Sequence, residues 1–190
     1  IEHEFAAEPL ADRARLQRGV CLFQLNKYAD AQVELEPLRA RQPAFNPVEA
    51  EQFLAYFGLT EYNLSQVAEG AERERLLDAA SDALDKQLEQ FPNGQLAPQT
   101  AFYHAEAIYA RGRLEAAVAA YRSFVARYPE HPQRADAIYA LGVAEQERGD
   151  FGDAVQSFAL FEQLFPQHPA HADARARHGE ALLSRAESQL

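Results

Sequence analysis

His168, His171 and His178 come nearest to a reactive or metal-binding constellation in this chain. The first two flank Pro169 in a linker stretch, and the third falls inside the helical pattern that follows. A closed zinc site needs four nitrogen or sulfur ligands at close, defined spacing. The chain has a single cysteine, Cys21, so no cysteine zinc site and no internal disulfide can form. The three histidines are therefore read as solvent-exposed linker residues, with no metal and no cofactor. His104 lies on a column of packing residues and is expected in a core or an interface rather than as a catalytic base. Cys21 sits among apolar helical neighbours and reads as an inert buried thiol. No glycine-rich phosphate loop, nucleophile elbow or paired-carboxylate arrangement is present. The expectation is a non-enzymatic protein with no catalytic residues.

Composition narrows what such a chain can bind. Its 190 residues are 47% hydrophobic and 11% aromatic, enough for a packed core. A formal net charge of −11 argues against a nucleic-acid surface, which needs a basic stripe. No run of about 18 apolar residues is available to span a bilayer. Methionine is absent, so the chain is expected to be a processed or excised fragment of a longer protein.

The elements that must position any site are helices. Alanine supplies roughly a fifth of the chain and β-branched residues are scarce, which favours helix over strand. Apolar residues recur at helical spacing. They predict helices over 8–26, 29–42, 48–66, 71–91, 97–111, 115–128, 133–148, 152–165 and 170–188. The segments Ala101–Pro129 and Ile138–Pro166 align without gaps at an offset of 37. That offset pairs Gly112 with Gly149, Ala117 with Ala154, Tyr121 with Phe158, Phe124 with Phe161 and Pro129 with Pro166. It also pairs Ala105 with Gly142, and one step further reaches Gly179. Weaker copies run through Gly19, Ala31, Leu35, Leu38 and Pro43, and through Gly58, Ala80, Leu84 and Pro92. The second copy is stretched by extra residues near 67–75. The small residue of each first helix is expected to meet the alanine of the second, letting the two backbones approach. Proline then ends each second helix.

These columns resemble the tetratricopeptide repeat (TPR) family. Leu141-Gly142, Gly149-Asp150-Phe151, Ala154, Phe158 and Pro166 fall on that family's consensus positions. Phe124 and Phe161 depart from it, standing where a small residue is usual. Arg15 and Arg18 occupy positions of the first copy that should be apolar. The resemblance implies an all-α fold, an α-solenoid of antiparallel helical hairpins wound as a right-handed superhelix. Four units, about 8–47, 48–96, 97–132 and 133–169, would be followed by a final helix over 170–190, all in one solenoid domain. The aromatic-Pro endings, as in "YPEHPQRADAIYALG" and "FPQHPAHADARARHG", are similar to repeats of bacterial envelope adaptors. Examples of that kind are the Tol-Pal-associated coordinator of cell division and BamD-like outer-membrane assembly lipoproteins.

In the TPR register the first helix of each pair lines a concave groove. The candidate partner-binding residues there are Phe23, Tyr62, Phe102, Glu106, Tyr109, Tyr139, Gln146 and Glu147. Leu16, Val20, Leu59 and Val143 fall in the same register, as do the carboxylates of Asp136, Asp173 and Glu180. Aromatics offer large contact area at low entropic cost, and carboxylates steer a basic partner. The expected ligand is a protein or peptide segment with apolar anchors and positive charge. The positions at which some TPR domains clamp a C-terminal carboxylate hold Leu16, Val20, Tyr56, Gln99 and Tyr103, so no such clamp exists. The functional expectation is a protein–protein interaction scaffold, periplasmic or outer-membrane-associated. The alternatives are an oligomerisation or regulatory appendage of a larger protein, and a cytoplasmic location. The oligomeric state is not set by the sequence.

Overall fold

The computed structural model describes residues 2–41 and 43–188, with side chains from Leu10 onward. Every regular element among the described residues is a helix. They are α1 (Glu2–Gln24), α2 (Tyr28–Arg41), α3 (Pro47–Ser65), α4 (Gly70–Gln90), α5 (Ala97–Ala110), α6 (Leu114–Arg127), α7 (Arg134–Arg148), α8 (Phe151–Leu164) and α9 (His171–Glu187). The bounds lie within two residues of those expected, except that α1 starts at Glu2 rather than at 8. The chain forms two compact units, Ile1–Ala107 and Ile108–Leu190, and the boundary falls within α5.

Local chemistry sets the helix ends. Asn46 caps α3: its side chain accepts from the Glu49 N–H while the Glu49 carboxylate accepts from the Asn46 N–H, both at 3.0 Å. Pro47 follows at the first helical position, where a missing N–H costs nothing. Helices α4, α6 and α8 end at an aromatic residue, Phe91, Tyr128 or Phe165, and the next residue is proline. The turns α5–α6 and α7–α8 reverse through Gly112 (φ 72°) and Gly149 (φ 87°) in the left-handed region. The first hairpin uses Asn26 there instead, at φ 58°. Asn26 precedes Ala31 by five residues, as Gly112 precedes Ala117 and Gly149 precedes Ala154. Asparagine is among the few non-glycine residues that tolerate this conformation.

The expected glycine–alanine approach is seen at Gly58, where a Cβ would lie 3.2 Å from the Ala80 carbonyl oxygen, but the nearest contact at each packing glycine is a larger side chain. A Cβ on Gly19 would sit 2.6 Å from Leu35, one on Gly58 2.6 Å from Leu84, and one on Gly142 2.7 Å from Phe158. The glycine makes room for the large residue four positions after the alanine. Gly179 occupies the same column in α9 and has nothing within 4 Å. The stretched second copy is built from longer helices: α3 has 19 residues and α4 has 21, against 15 and 14 in α7 and α8.

In the first unit the core gathers Leu16, Val20, Leu35, Leu38, Phe57 and Ala83. In the second it gathers Ile138, Val143, Ala154, Phe158, Phe161, Ala174 and Ala181. Each large apolar side chain so buried contributes about 1.5–3 kcal/mol. Leu16, Val20, Leu59 and Val143 are therefore core residues rather than groove residues. Arg15 and Arg18 are accommodated because both reach Glu34, at 3.5 and 2.9 Å. Cys21 is exposed, which corrects the buried-thiol expectation. The buried face of α1 runs through Asp12, Leu16, Gly19 and Val20, and the next residue lies about 100° further round the helix.

Candidate functional site

Polar contacts tie consecutive odd-numbered helices together. Arg13 of α1 reaches Glu49 of α3 at 3.1 Å, and Gln17 donates to Gln52 at 3.1 Å. Tyr62 of α3 donates its hydroxyl to Glu106 of α5 at 3.1 Å. In the second unit Tyr109 donates to Glu147 at 2.8 Å, Tyr139 donates to Asp173, and Gln146 donates to Glu180 at 3.3 Å. The tyrosines thus sit between neighbouring first helices, with their protons committed to carboxylates.

Burial divides the candidate residues. Tyr62 and Phe102 are 9% and 6% exposed and belong to the packing of the first unit. Phe102 meets Tyr103 edge-on with ring centroids 5.2 Å apart, and Tyr62 lies 5.3 Å from the same Tyr103. Burial, reinforced by the Glu106 charge, pushes the Tyr62 hydroxyl far above the usual phenol range. Phe23 is half-buried against Tyr28 and Tyr56, with centroids at 5.4 and 5.3 Å. Glu106, Tyr109, Tyr139 and Gln146 are half-buried, and Glu147, Asp173 and Glu180 are exposed. Hydrogen bonds from Tyr139 and Arg177 hold Asp173 below its ordinary carboxylate range. In the second unit the accessible surface is rich in acceptors: the half-buried rings of Tyr109 and Tyr139 lie beside the exposed carboxylates of Glu147 and Asp173. It can hold donors, cationic ones above all.

The linker histidines are not simply solvated. His168 stacks edge-on against Phe161 at 5.3 Å, accepts the Ala170 N–H at Nδ1 (3.2 Å), and lies 3.4 Å from Asp136. His131 repeats the motif, stacking on Phe124 at 5.3 Å and accepting the Gln133 N–H at 3.2 Å. Both follow the same Pro-x-His-Pro pattern, at 129–132 and 166–169. That repetition was the sequence signal for a structural turn. His178 is 2.7 Å from Glu162 across the α8–α9 packing. His104 is three-quarters or more buried beside Asp85 at 3.8 Å, and burial pushes its pKa down. Among the described residues no three histidine, cysteine or carboxylate side chains gather to hold a metal ion. No helix among them is long and apolar enough to cross a membrane.

Two buried glutamates escaped sequence reading. Glu61 and Glu145 are 0% and 1% exposed. Each stands three residues after the packing glycine, Gly58 or Gly142, so column alignment was the signal that could have found them. Glu145 is fully served. Arg122 donates to one oxygen at 3.1 and 2.6 Å, and Ser157 donates to the other at 2.6 Å.

The family model described as "YfiO: Outer membrane lipoprotein" matches residues 58–177, more than half of the chain. Comparison with curated proteins gives no match. Among solved structures, MamA AMB-1 is 19% identical, with 95% of this chain and 91% of that chain covered and a TM-score of 0.67. A putative kinesin light chain of Podosopora anserina, with nearly identical TPR-like repeats, is 18% identical over 95% and 90% of the two chains, TM-score 0.61. The apo form of RapI is 11% identical over 93% and 64%, TM-score 0.70. At these identities the likeness shows the fold, an all-α solenoid of the TPR type.

Proposed function

The chain belongs to the YfiO family of outer membrane lipoproteins, and from that premise we propose that it is a non-catalytic scaffold of a bacterial cell envelope, periplasmic or outer-membrane-associated. Its first-helix faces bind segments of partner proteins. The observation that supports this most directly is the series of tyrosine–carboxylate bonds, Tyr62–Glu106, Tyr109–Glu147 and Tyr139–Asp173. Tyr109 and Tyr139 each hold a half-buried ring beside an exposed acidic group, whereas the Tyr62 ring is buried and anchors Glu106 from within the packing. Because the hydroxyl proton is already committed, the surface offers acceptors and asks its partner for donors. A partner segment carrying arginine or lysine between apolar anchors matches that demand. The net charge of −11 would speed its encounter. In the first unit Tyr62 and Phe102 are buried and Phe23 half-buried in the packing that carries its first-helix face, and in the second unit Gln146 is half-buried and bonded to Glu180.

The test is affinity capture from an envelope extract with wild type and a Glu147→Lys/Glu180→Lys double variant. Both positions are exposed, so circular dichroism should show equal helicity. Retention of specific partners is expected to fall about tenfold or more in the variant, as for loss of a complementary charge at an interface. Equal retention of the same partners by both proteins would overturn the reading. Tyr62→Ala is unsuitable here, because that ring is buried and its loss would disturb the core.

A further inference from the structure

The repeat itself supplies an internal comparison for Glu61. Five residues after the packing alanine of a second helix stands Arg122 in the third copy (Ala117) and Glu36 in the first (Ala31). Arg122 is the cation that neutralises buried Glu145 of the following first helix, at 2.6 Å. The equivalent neighbour of buried Glu61 is therefore Glu36, a like charge. Glu61 receives one hydrogen bond, from Gln32 at 2.7 Å to Oε1. Its Oε2 has no hydrogen-bond partner, and neither does the buried Oε2 of Glu36. Arg75 is the nearest cation, but its Nη1 stays 3.7 Å from Glu61 Oε2. Its Nε and Nη2 are held by Glu72 at 3.0 and 2.8 Å. Arg39 lies 3.5 Å from the other oxygen of Glu36. The charged groups at this place are thus three carboxylates, Glu36, Glu61 and Glu72, against two guanidinium groups, Arg39 and Arg75.

Beside them opens a cleft of about 480 Å³ lined by Gln32, Val33, Glu36, Pro37 and Arg75. Pro37 lies inside α2 and has no N–H, so the Val33 carbonyl also lacks its usual intrahelical donor. Arg75 is on a helix at all only because α4 is extended. The equivalent position of the fourth copy, five before Ala154, is the turn residue Gly149. The stretched segment near 67–75 therefore helps to wall this cleft.

We propose that the α2–α4 cleft is a second interaction site, which receives an arginine side chain of a partner protein and seats its guanidinium against Glu36, the position that Arg122 fills in the third copy, where it also offsets the charge of the fully buried Glu61. The reason is that a fork of donors is what the Glu36 Oε2, which has no hydrogen-bond partner, and the donor-poor Val33 carbonyl lack, while Glu61 has only the 3.7 Å contact of Arg75 to offset its second oxygen. Burial, with the Glu36 charge adding to it, holds the Glu61 carboxyl above its ordinary range. A seated guanidinium would lower it. The site lies on the second-helix side of the first unit and does not depend on the first-helix face.

The experiment titrates acetyl-arginine amide into the 190-residue chain, following backbone amide signals by NMR, with acetyl-citrulline amide as the uncharged isostere. Saturable shifts at Val33, Glu36 and Arg75 are expected with a dissociation constant on the order of millimolar, and binding about tenfold weaker for citrulline. Glu36→Arg would install the Arg122 arrangement within the chain. It should abolish probe binding and raise the melting temperature. If Glu36→Arg does not fold, Glu36→Gln serves instead, with an expected loss of about tenfold in affinity. No saturable shift up to about 50 mM probe, equal binding of arginine and citrulline, or undiminished binding in Glu36→Arg or Glu36→Gln would each overturn the proposal.

Discussion

Single residues decide where this fold tolerates change, and the glycine column makes the point. Gly142 faces Phe158 at a distance no Cβ can occupy, whereas Gly179, in the same column, faces open space. Gly142→Ala should destabilise the chain by about 1–3 kcal/mol, because Phe158 is fully buried and has nowhere to move. Gly179→Ala should instead be neutral or stabilise by up to about 1 kcal/mol, the helix preference of alanine over glycine. Thermal denaturation of the two variants checks both signs. Glu61 sets a second residue-scale outcome. Its folded pKa is raised above the ordinary 4.5, so the native state binds the proton more tightly than the unfolded chain does. Stability from this group is therefore gained as pH falls through the folded pKa toward 4.5, and is lost as pH rises. Glu61→Gln should raise the melting temperature at pH 7 by a few degrees, about 2–4 °C per kcal/mol for a chain of this size. It should also flatten that part of the stability–pH curve.

Elements are joined by a device that recurs where second helices end. An aromatic residue closes the helix, proline follows, and His131 or His168 folds its ring onto Phe124 or Phe161 while accepting a backbone N–H. That acceptor role requires a neutral imidazole nitrogen. Burial pushes the His131 pKa below 6.5, so the unfolded chain binds the proton more tightly than the native one. Stability is fully present above 6.5 and is lost as pH falls toward the folded pKa. His131→Asn should cost about 1 kcal/mol at pH 7 and remove that acid-side loss. Urea titrations at pH 7 and pH 5.5 would read it. The Glu61 and His131 slopes have opposite signs, so the two variants are best compared each with wild type rather than with one another.

At the scale of the whole molecule each unit has its own core, one around Leu35, Leu38 and Phe57, the other around Phe158 and Phe161. In repeat proteins stability is close to a sum of local repeat and nearest-neighbour contributions. Gly142→Ala should therefore raise hydrogen exchange chiefly in α7, α8 and α9, leaving α1 to α3 near their wild-type protection. Uniform loss of protection along the chain, read by exchange mass spectrometry, would contradict this local accounting. The same modularity lets one chain carry distinct surfaces: first-helix faces rich in tyrosine and carboxylate, and the α2–α4 cleft.

How much of this was legible in the sequence follows from the range of each interaction. Helix positions and proline stops depend on neighbours a few residues away, so period and punctuation sufficed, and Gly112 and Gly149, which recur at the repeat offset, prove to be the left-handed turns. Asn26 was missed because asparagine only tolerates the left-handed region, whereas glycine favours it. The candidate site was legible as residue types on the first helices. Its burial was not: Tyr62 and Phe102 are covered, while Tyr109 and Tyr139 stay half-open. Cys21 and Val20 are adjacent in an apolar run, yet one is exposed and the other is core. The sequence by itself determined an all-α repeat, because periodicity and small-residue columns are local and recur. Only the tertiary structure decided which face of each helix was covered. It also decided which buried glutamate met an arginine, because those outcomes depend on side chains brought together from residues 20 to 40 positions apart.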